Sequence, residues 1–254
     1  MGGTPTPAQA RLAELIRSSG SVVALTGAGI SVPSGIPDFR SPGTGLWANV
    51  DPMAVAHISV WRSDPVGFWD FYGRRFTALE GTRPNSAHEA LARLEADGRL
   101  DAVVTQNIDG LHRAAGTREL LEVHGSIATA SCLRDGRRHP LEETRRRLAA
   151  DPEGVPRCDC GAPLKPDVVL FGELLDEAVI GRAGELAAGA DLLLVVGSSL
   201  EVHPVAGLPE LTLRTGGRLA IVTRSGTPFD RAADVKLDGD VVDELAGVLA
   251  ALVG

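Results

Sequence analysis

Apolar runs that end at glycine or polar residues recur along the chain and predict a parallel β-sheet. Residues 22–26 form an uninterrupted run that ends at Gly27, which is typical of a strand buried on both faces. Further strands are expected at 100–105, 120–123, 191–196 and 218–223. Parallel strands need crossover segments, and these are usually helices. We therefore expect an α/β fold with a Rossmann-like parallel sheet.

Helical periodicity and capping residues mark the segments between these strands. Thr6 and Pro7 suit the N-cap and first helical positions, and Ser86 with Glu89 forms an S-x-x-E capping box. Asp240 is placed to cap a final amphipathic helix. The helices expected from these patterns are 6–20, 86–98, 206–214 and 241–252.

Two stretches interrupt this alternation. Residues 41–84 hold most of the aromatic side chains, whereas residues 127–165 are rich in arginine and carry all three cysteines. We interpret them as a helical and a cysteine-bearing insertion that together form a smaller lobe within a single catalytic domain, 1–254. The Rossmann-like lobe then comprises about 1–40, 85–126 and 166–254, and the cleft between the lobes is the expected site.

Composition limits the environment and the partners. The net charge of −8 argues against a nucleic-acid-binding surface and favours basic partners such as lysine-rich segments. No apolar run reaches the ~18 residues of a membrane span, and residues 1–7 lack the charged and apolar regions of a secretory signal. The sequence therefore predicts a cytoplasmic protein with no membrane partner.

Candidate ligand-binding residues stand at the ends of the predicted strands, where open α/β sheets bind ligands. Gly27 and Gly29 let backbone amides approach a pyrophosphate, although Val32 departs from the ordinary G-x-G-x-x-G pattern. His124 follows another strand, and histidine, with an ordinary pKa of about 6.5, suits a general base near neutral pH. A histidine satisfied by hydrogen bonds at a strand end is the alternative.

Amide and carboxylate side chains follow the second predicted strand: Gln106, Asn107 and Asp109. They can orient a polar ligand, or they can merely cap a helix that begins at Leu111. After the glycine turn, residues 33–40 form a proline-stiffened polar loop that can close over a ligand. Its chemically equipped residues are Asp38, Phe39 and Arg40.

Five ordered segments resemble the motifs of the sirtuins, the NAD-dependent protein deacylases. They are GAGIS with SGIPDFRS at 27–31 and 34–41, TQNIDGLH at 105–112, EVHGS at 122–126, PDVVLFGE at 166–173 and VGSSL at 196–200. The resemblance runs from about residue 10 to the C-terminus and points to the bacterial desuccinylase and deacetylase branch.

The resemblance implies an enzyme that uses NAD to remove acyl groups, acetyl and also succinyl or malonyl, from protein lysines, giving nicotinamide and O-acyl-ADP-ribose. It implies that His124 is the general base and that Asn107 and Asp109 are catalytic residues at the ribose and nicotinamide end of NAD. The other NAD contacts it implies are Gly27, Ala28, Gly29, Asp38, Phe39, Arg40, Gln106, Gly197, Ser198, Ser199 and Thr223. Where the family usually shows Asn, this chain has Thr223 followed by Arg224, so the contact to the adenosine ribose is open there.

The same resemblance implies that an extended acyl-lysine peptide adds as a strand between two segments. The matching residues are Val168, Val169, Phe171, Gly172, Glu173, Glu201 and Val202. Tyr72 and Arg75 stand in a Y-x-x-R spacing that resembles the pair by which one sirtuin branch recognises succinyl- and malonyl-lysine. One helical face can present both, and a guanidinium suits a carboxylate. A packed tyrosine beside an exposed arginine is the alternative.

The cysteines match the family's zinc ribbon only in part. The ribbon has paired C-x-x-C thiolates in a tetrahedron, whereas here Asp135 stands at the expected spacing after Cys132 and the second pair is compressed to Cys158 and Cys160. Asp135 or His139 can supply a fourth ligand to a structural zinc ion. Buried cysteines without a metal are the alternative.

Two other functions fit the same features. ADP-ribosyl transfer or NAD hydrolysis uses the same cleavage with a different acceptor, and an NAD-sensing module uses the cleft without catalysis. The presence of His124 and Asn107 argues against a pure sensor, since a sensor needs no base.

Overall fold

The computed structural model describes residues 4–38, 45, 50–79 and 81–253, without the side chains of 75–78. The helices of this part of the chain are α1 Pro7–Ser18, α2 Pro52–Val55, α3 Ile58–Ser63, α4 Pro65–Ala78, α5 Ser86–Ala96, α6 Leu111–Ala114, α7 Leu141–Ala150, α8 Glu177–Gly189, α9 Leu208–Arg214 and α10 Val241–Val253. The strands are β1 Val22–Thr26, β2 Ala102–Thr105, β3 Leu120–Glu122, β4 Gly125–Cys132, β5 Arg138–Pro140, β6 Leu164–Val168, β7 Leu192–Val196, β8 Arg218–Val222 and β9 Val235–Leu237.

The larger sheet has six strands in the order β3-β2-β1-β7-β8-β9, and each neighbouring pair is parallel. Strand β1 pairs Thr26 with Thr105 on one side and with Val196 on the other. The direction of winding therefore reverses between β1 and β7, which creates a crevice for ligands at the carboxyl ends of these strands. The predicted α/β class with a Rossmann-like sheet is confirmed.

Helices cover both faces of this sheet, because successive side chains of a strand point to opposite faces. Val22 and Ala24 of β1 lie in the hydrophobic cluster formed with α1, α5 and α10, whereas Val23 and Leu25 lie in the cluster formed with α8 and α9. Full burial of such an aliphatic side chain contributes about 1.5–3 kcal/mol. The turns that follow β1 and β7 thus stand on a densely packed base.

The smaller lobe has an antiparallel sheet in the order β5-β4-β6. Helices α3 and α4 are tied to it, since Trp61 and Trp69 both donate Nε1–H hydrogen bonds of 3.0 Å to the Leu164 carbonyl. Trp69 also shares a hydrophobic cluster with Ile127 of β4 and Val168 of β6. The helical and cysteine-bearing segments therefore have a common core.

The N-cap of α5 is Asn85, one residue before the expected Ser86. Asn85 Oδ1 accepts from Ala87 N at 2.9 Å, and His88 Nδ1 accepts from Asn85 N at 3.4 Å. Asn85 is fixed in this role because its Nδ2 also donates to a carbonyl of the β1 turn at 2.8 Å. His88 thus takes the part in the capping box that was expected of Glu89.

Other elements lack the pattern that predicts them. Strand β9 is too short to show periodicity, and α8 carries Gly181, Gly184 and Gly189, a residue type of low helix propensity. Strands β4 and β6 extend across the lobe boundaries set at residues 126 and 165. The assignment of residues to lobes otherwise stays a prediction.

Candidate active site

One cavity of about 840 Å³ lies at the carboxyl ends of β1, β2, β7 and β8 and reaches His124. The predicted cofactor-binding residues that line it are Gly27, Ala28, Gly29, Asp38, Gln106, Asn107, Gly197, Ser198, Ser199 and Thr223. The predicted substrate-binding residues that line it are Tyr72, Val168, Val169, Phe171, Gly172, Glu173, Glu201 and Val202. Phe39, Arg40 and the side chain of Arg75 lie outside the described residues. Residues far apart in the sequence therefore share one cleft between the lobes.

The glycines after β1 allow the turn that follows β1 to pack closely against the turn that follows β7. Gly27 N donates to Val196 O at 3.1 Å and Gly29 N to Gly197 O at 2.8 Å. A Cβ on Gly29 would stand 2.8 Å from the Gly197 Cα, closer than real Cβ contacts allow. These two amides are thus used within the protein, so the approach to a phosphate that the glycines allow depends on other amides of the turn. Among the described residues of this turn, the Ala28 amide is the one left for a ligand.

Asn107 and Asp109 meet at a serine that the sequence patterns did not single out. Buried Asn107 donates from Nδ2 to Ser31 Oγ and to Gly27 O, both at 3.1 Å, and Ser31 donates to Asp109 Oδ2 at 2.7 Å. The other Asp109 oxygen accepts from the amide N of Leu111, the first residue of α6, at 2.9 Å, whereas the N-cap position is Gly110, which has no side-chain cap. Burial raises the pKa of Asp109, while the bonds from Leu111 and Ser31 oppose that shift. The one available signal for Ser31 was its place in the GAGIS segment.

Two buried histidines lie beneath this cluster. His88 Nε2 lies 3.4 Å from Ser31 Oγ, His112 Nε2 lies 2.9 Å from Thr26 Oγ1, and the two ring centroids are 4.8 Å apart. Burial lowers the pKa of His88 to about 4, and burial together with the neighbouring His88 lowers the pKa of His112 to about 3. Both rings are therefore neutral near pH 7 and act as hydrogen-bonding supports.

His124 follows β3 and is prepared to accept a proton. Its Nδ1 lies 3.0 Å from Gln106 O, and a carbonyl oxygen only accepts, so Nδ1 carries the hydrogen and Nε2 keeps its lone pair. Burial lowers the pKa of His124, with the bond to Gln106 acting against that shift. The imidazole is thus neutral at physiological pH with one fixed tautomer. Gln106 also donates from Nε2 to Ser198 Oγ at 2.8 Å, which joins the turns after β2 and β7.

The segment after β6 connects the two lobes beside His124. Val169 N donates to His124 O at 2.8 Å, and Phe171 N donates to Ala56 O at 3.0 Å. Glu173, predicted to bind substrate, accepts a hydrogen bond of 2.9 Å from the Leu170 amide and forms a salt bridge of 2.9 Å with a buried lysine of β6. The lysine is Lys165, which the sequence analysis did not select. It and Glu173 fix the backbone of this cavity wall.

Tyr72 lies on α4 with its ring at the cavity and 6% of its surface exposed. The ring stacks on Phe68 with centroids 4.5 Å apart. The backbone of Arg75 lies one helical turn further along α4, on the same face. The structure therefore gives the backbone positions of both Tyr72 and Arg75, but the side chain of Tyr72 only.

Comparisons with known proteins agree with this geometry. The model of the Sir2 family matches residues 27–204. The chain belongs to the Sir2 family. An NAD-dependent protein deacetylase from Caldivirga maquilingensis is 46% identical over 249 residues, which is 95% of each chain.

Two solved Sir2 structures resemble the chain over 94% of its length and 96% of theirs, at 39% identity. One contains a p53 peptide and NAD+ and gives a TM-score of 0.87, and the other contains a deacetylated p53 peptide and 3′-O-acetyl ADP-ribose and gives 0.90. The resemblance to the sirtuins drawn from the sequence is thereby confirmed.

This Sir2 protein also has a candidate metal centre in the smaller lobe. Ligand atoms of Cys132, Asp135, Cys158 and Cys160 all lie within 4.8 Å of one another. Three thiols and a carboxylate are donors that zinc accepts in tetrahedral sites. His139 is not part of this group of converging ligand atoms, so Asp135 is the fourth candidate ligand.

The metal centre is remote from the base. Strand β4 begins next to His124 and ends at Cys132, and a strand of that length spans about 20 Å. A metal there can stabilise the small sheet without touching the cavity. Within the described part of the chain, no helix combines the length and apolar character needed to cross a bilayer.

Proposed function

We propose that this Sir2 protein is an NAD-dependent protein-lysine deacetylase that gives nicotinamide and O-acetyl-ADP-ribose. The observation that carries the proposal is the fixed tautomer of His124, with Nδ1–H bound to Gln106 O at 3.0 Å in a cavity of about 840 Å³. A neutral imidazole with an unprotonated Nε2 is the form that a general base requires.

The winding of the sheet supports one orientation of NAD in the cavity. The diphosphate lies at the switch point, near the Ala28 amide and the turn that begins at Gly197. The nicotinamide end then lies toward Asn107, which Ser31 and Gly27 hold in position. The adenosine end extends the other way, toward β8 and β9.

His124 takes its part after the first bond has broken. The acyl oxygen of the substrate attacks the anomeric carbon as nicotinamide leaves, and His124 Nε2 then accepts the proton of a ribose hydroxyl. The backbone of Val168–Phe171 holds the peptide beside this site by strand addition. The deprotonated ribose oxygen adds to the acyl carbon, the bond from that carbon to the lysine nitrogen breaks, and water then adds to the acyl carbon as its bond to the anomeric oxygen breaks. Free lysine and the acylated ADP-ribose are the products.

Mass spectrometry of an acetyl-lysine peptide incubated with NAD tests the proposal. Loss of the acetyl group matched by O-acetyl-ADP-ribose supports deacetylation. A protein acceptor that gains the mass of ADP-ribose, or NAD hydrolysis without deacetylation, supports the second activity that the same cleavage allows. Binding of NAD without formation of any product would support the third alternative, an NAD-sensing module without catalytic activity.

A second proposal concerns longer, acidic acyl groups. The cavity position of Tyr72 supports it, because the backbone of Arg75 lies on the same face of α4 and a guanidinium pairs well with a succinyl or malonyl carboxylate. Hydrogen bonds to charged groups then favour succinyl over acetyl peptide by roughly ten- to a hundredfold in kcat/KM.

Arg75→Met is expected to erase that preference while sparing deacetylation. Arg74→Met is the matched control, since Arg74 is exposed and pairs with Asp70 at 2.7 Å. If the wild-type enzyme prefers acetyl peptide, or if Arg75→Met loses both activities equally, Tyr72 and Arg75 have a structural role and do not recognise the acyl carboxylate. Zinc at the cysteine cluster and a cytoplasmic location likewise stay predictions.

A further inference from the structure

The end of the cavity farthest from His124 carries an ion pair that the sequence motifs do not include. Strands β8 and β9 lie on the opposite side of the switch point from β2 and β3. The loops that follow them bring Arg224 and Asp240 to the cavity wall, where Arg224 Nη2 and Asp240 Oδ2 are 2.7 Å apart. Under the proposed function, this is the adenosine end of NAD.

Asp240 is held firmly in this place. Its Oδ1 accepts from Val242 N at 2.9 Å and caps α10, and its carbonyl accepts from Glu244 N at 2.9 Å. Glu244 in turn accepts from Gly239 N at 3.0 Å. Hydrogen bonds within the protein thus fix the loop that carries the carboxylate.

Thr223 is poorly placed to replace the Asn that the family usually has at this strand end. Thr223 as a whole residue is 6% exposed, and its Oγ1 lies 3.2 Å from Ser225 Oγ. By contrast, the Asp240 side chain is 28% exposed and Arg224 is 67% exposed. Among the described residues, the charged side chains on the cavity wall at this end are therefore the Asp240 carboxylate and its Arg224 partner.

These two groups have opposite preferences at the adenosine ribose. In Rossmann folds a carboxylate accepts a hydrogen bond from the 2′-hydroxyl of NAD, whereas an arginine accommodates the 2′-phosphate of NADP. We propose that Asp240 makes this protein select NAD over NADP, by accepting from the ribose hydroxyl, repelling a 2′-phosphate and engaging Arg224. This inference rests on the proposed orientation of NAD in the cavity.

The substitution Asp240→Asn removes the negative charge of the side chain without disturbing the fold. Asparagine is as good an N-cap as aspartate, so α10 keeps its first hydrogen bond while the repulsion ends and Arg224 is released. The dissociation constants of NAD and NADP are measured by calorimetry on the intact protein. We expect the wild type to bind NAD more tightly, and Asp240→Asn to shift the ratio of the two constants toward NADP by about tenfold or more.

Two comparisons decide whether the shift has the stated cause. Adding Arg224→Ala to Asp240→Asn should abolish the gain in NADP binding, because the guanidinium is what then receives the phosphate. Asp238→Asn is the matched control, since this carboxylate pairs with Lys236 at 3.2 Å and lies off the cavity wall. It should leave the ratio unchanged.

An unchanged ratio in Asp240→Asn, or a gain that persists without Arg224, would overturn the inference. Equal shifts in Asp238→Asn would do the same, because they would reflect net charge alone. Binding is measured separately from deacetylation, so a protein that binds NAD selectively but releases no acetyl group would refute the proposed function and keep this inference.

Discussion

Acid should destabilise this protein through the buried pair His88 and His112. Both folded pKa values are lowered, to about 4 and about 3, mainly because burial disfavours the charged ring. In the unfolded chain both histidines have the ordinary value near 6.5. The unfolded state therefore binds more protons below about pH 6.5, so the stability that the pair contributes above that pH is lost as the pH falls toward 4.

The magnitude at pH 5 depends little on the exact folded values. At that pH both rings are still neutral in the folded protein, and the unfolded chain alone takes up protons. Each ring then reduces the free energy of unfolding by about 2 kcal/mol between pH 7 and pH 5, and the pair by about 4 kcal/mol. This is a large share of the roughly 5–15 kcal/mol typical of a folded domain.

Urea unfolding followed by circular dichroism at both pH values, at constant ionic strength, measures this loss. His112→Gln keeps a donor for Thr26 Oγ1 but cannot titrate, so its loss should be smaller than that of the wild type by about 2 kcal/mol. The lowered pKa of His124 adds to the loss and the raised pKa of Asp109 opposes it, but both remain in the variant. Identical losses in wild type and variant would refute the assignment of the neutral pair.

Three further outcomes follow from the site. Since burial lowers the pKa of His124, kcat/KM should stay flat through neutral pH and fall only below about 6.5, and an acid limb above 7 would contradict this. Ser31→Ala frees Asn107 and Asp109 from their common partner, so steady-state kinetics should show kcat reduced about tenfold with KM nearly unchanged. Asp135→Cys should retain more zinc than the wild type after dialysis against a chelator and Asp135→Ala less, as elemental analysis can measure, whereas equal contents would exclude Asp135 as a ligand.

Strands β1, β2, β7 and β8 of the large sheet could be predicted because each contains a continuous apolar run that ends in turn or polar residues, whereas β9 (Val235–Leu237) shows no such run. The position of His124 followed from the same logic, since parallel strands deliver their next residue to one edge. These features depend on neighbours in sequence, and a single chain shows them directly.

The features that sequence patterns missed depend on neighbours distant in sequence. Gly29 is required because Gly197 approaches it, and nothing near Gly29 indicates that contact. Ser31 links Asn107 to Asp109 only after β1 and β2 have paired. A buried lysine in a strand is unfavourable without a partner, and the partner of Lys165, Glu173 at 2.9 Å, lies in the segment after β6.

The most direct test of the proposed function follows the acyl oxygen of the substrate. If this oxygen attacks the anomeric carbon of NAD, a peptide whose acetyl carbonyl carries a heavy-oxygen label should pass that label to the ribose of O-acetyl-ADP-ribose. Free lysine, nicotinamide and the labelled product should form in equal amounts, and His124→Ala should slow all three together by at least ~10²-fold, as expected for loss of a general base. Label retained in the acetyl group, or undiminished turnover in a folded His124→Ala protein, would contradict the mechanism proposed for this Sir2 protein.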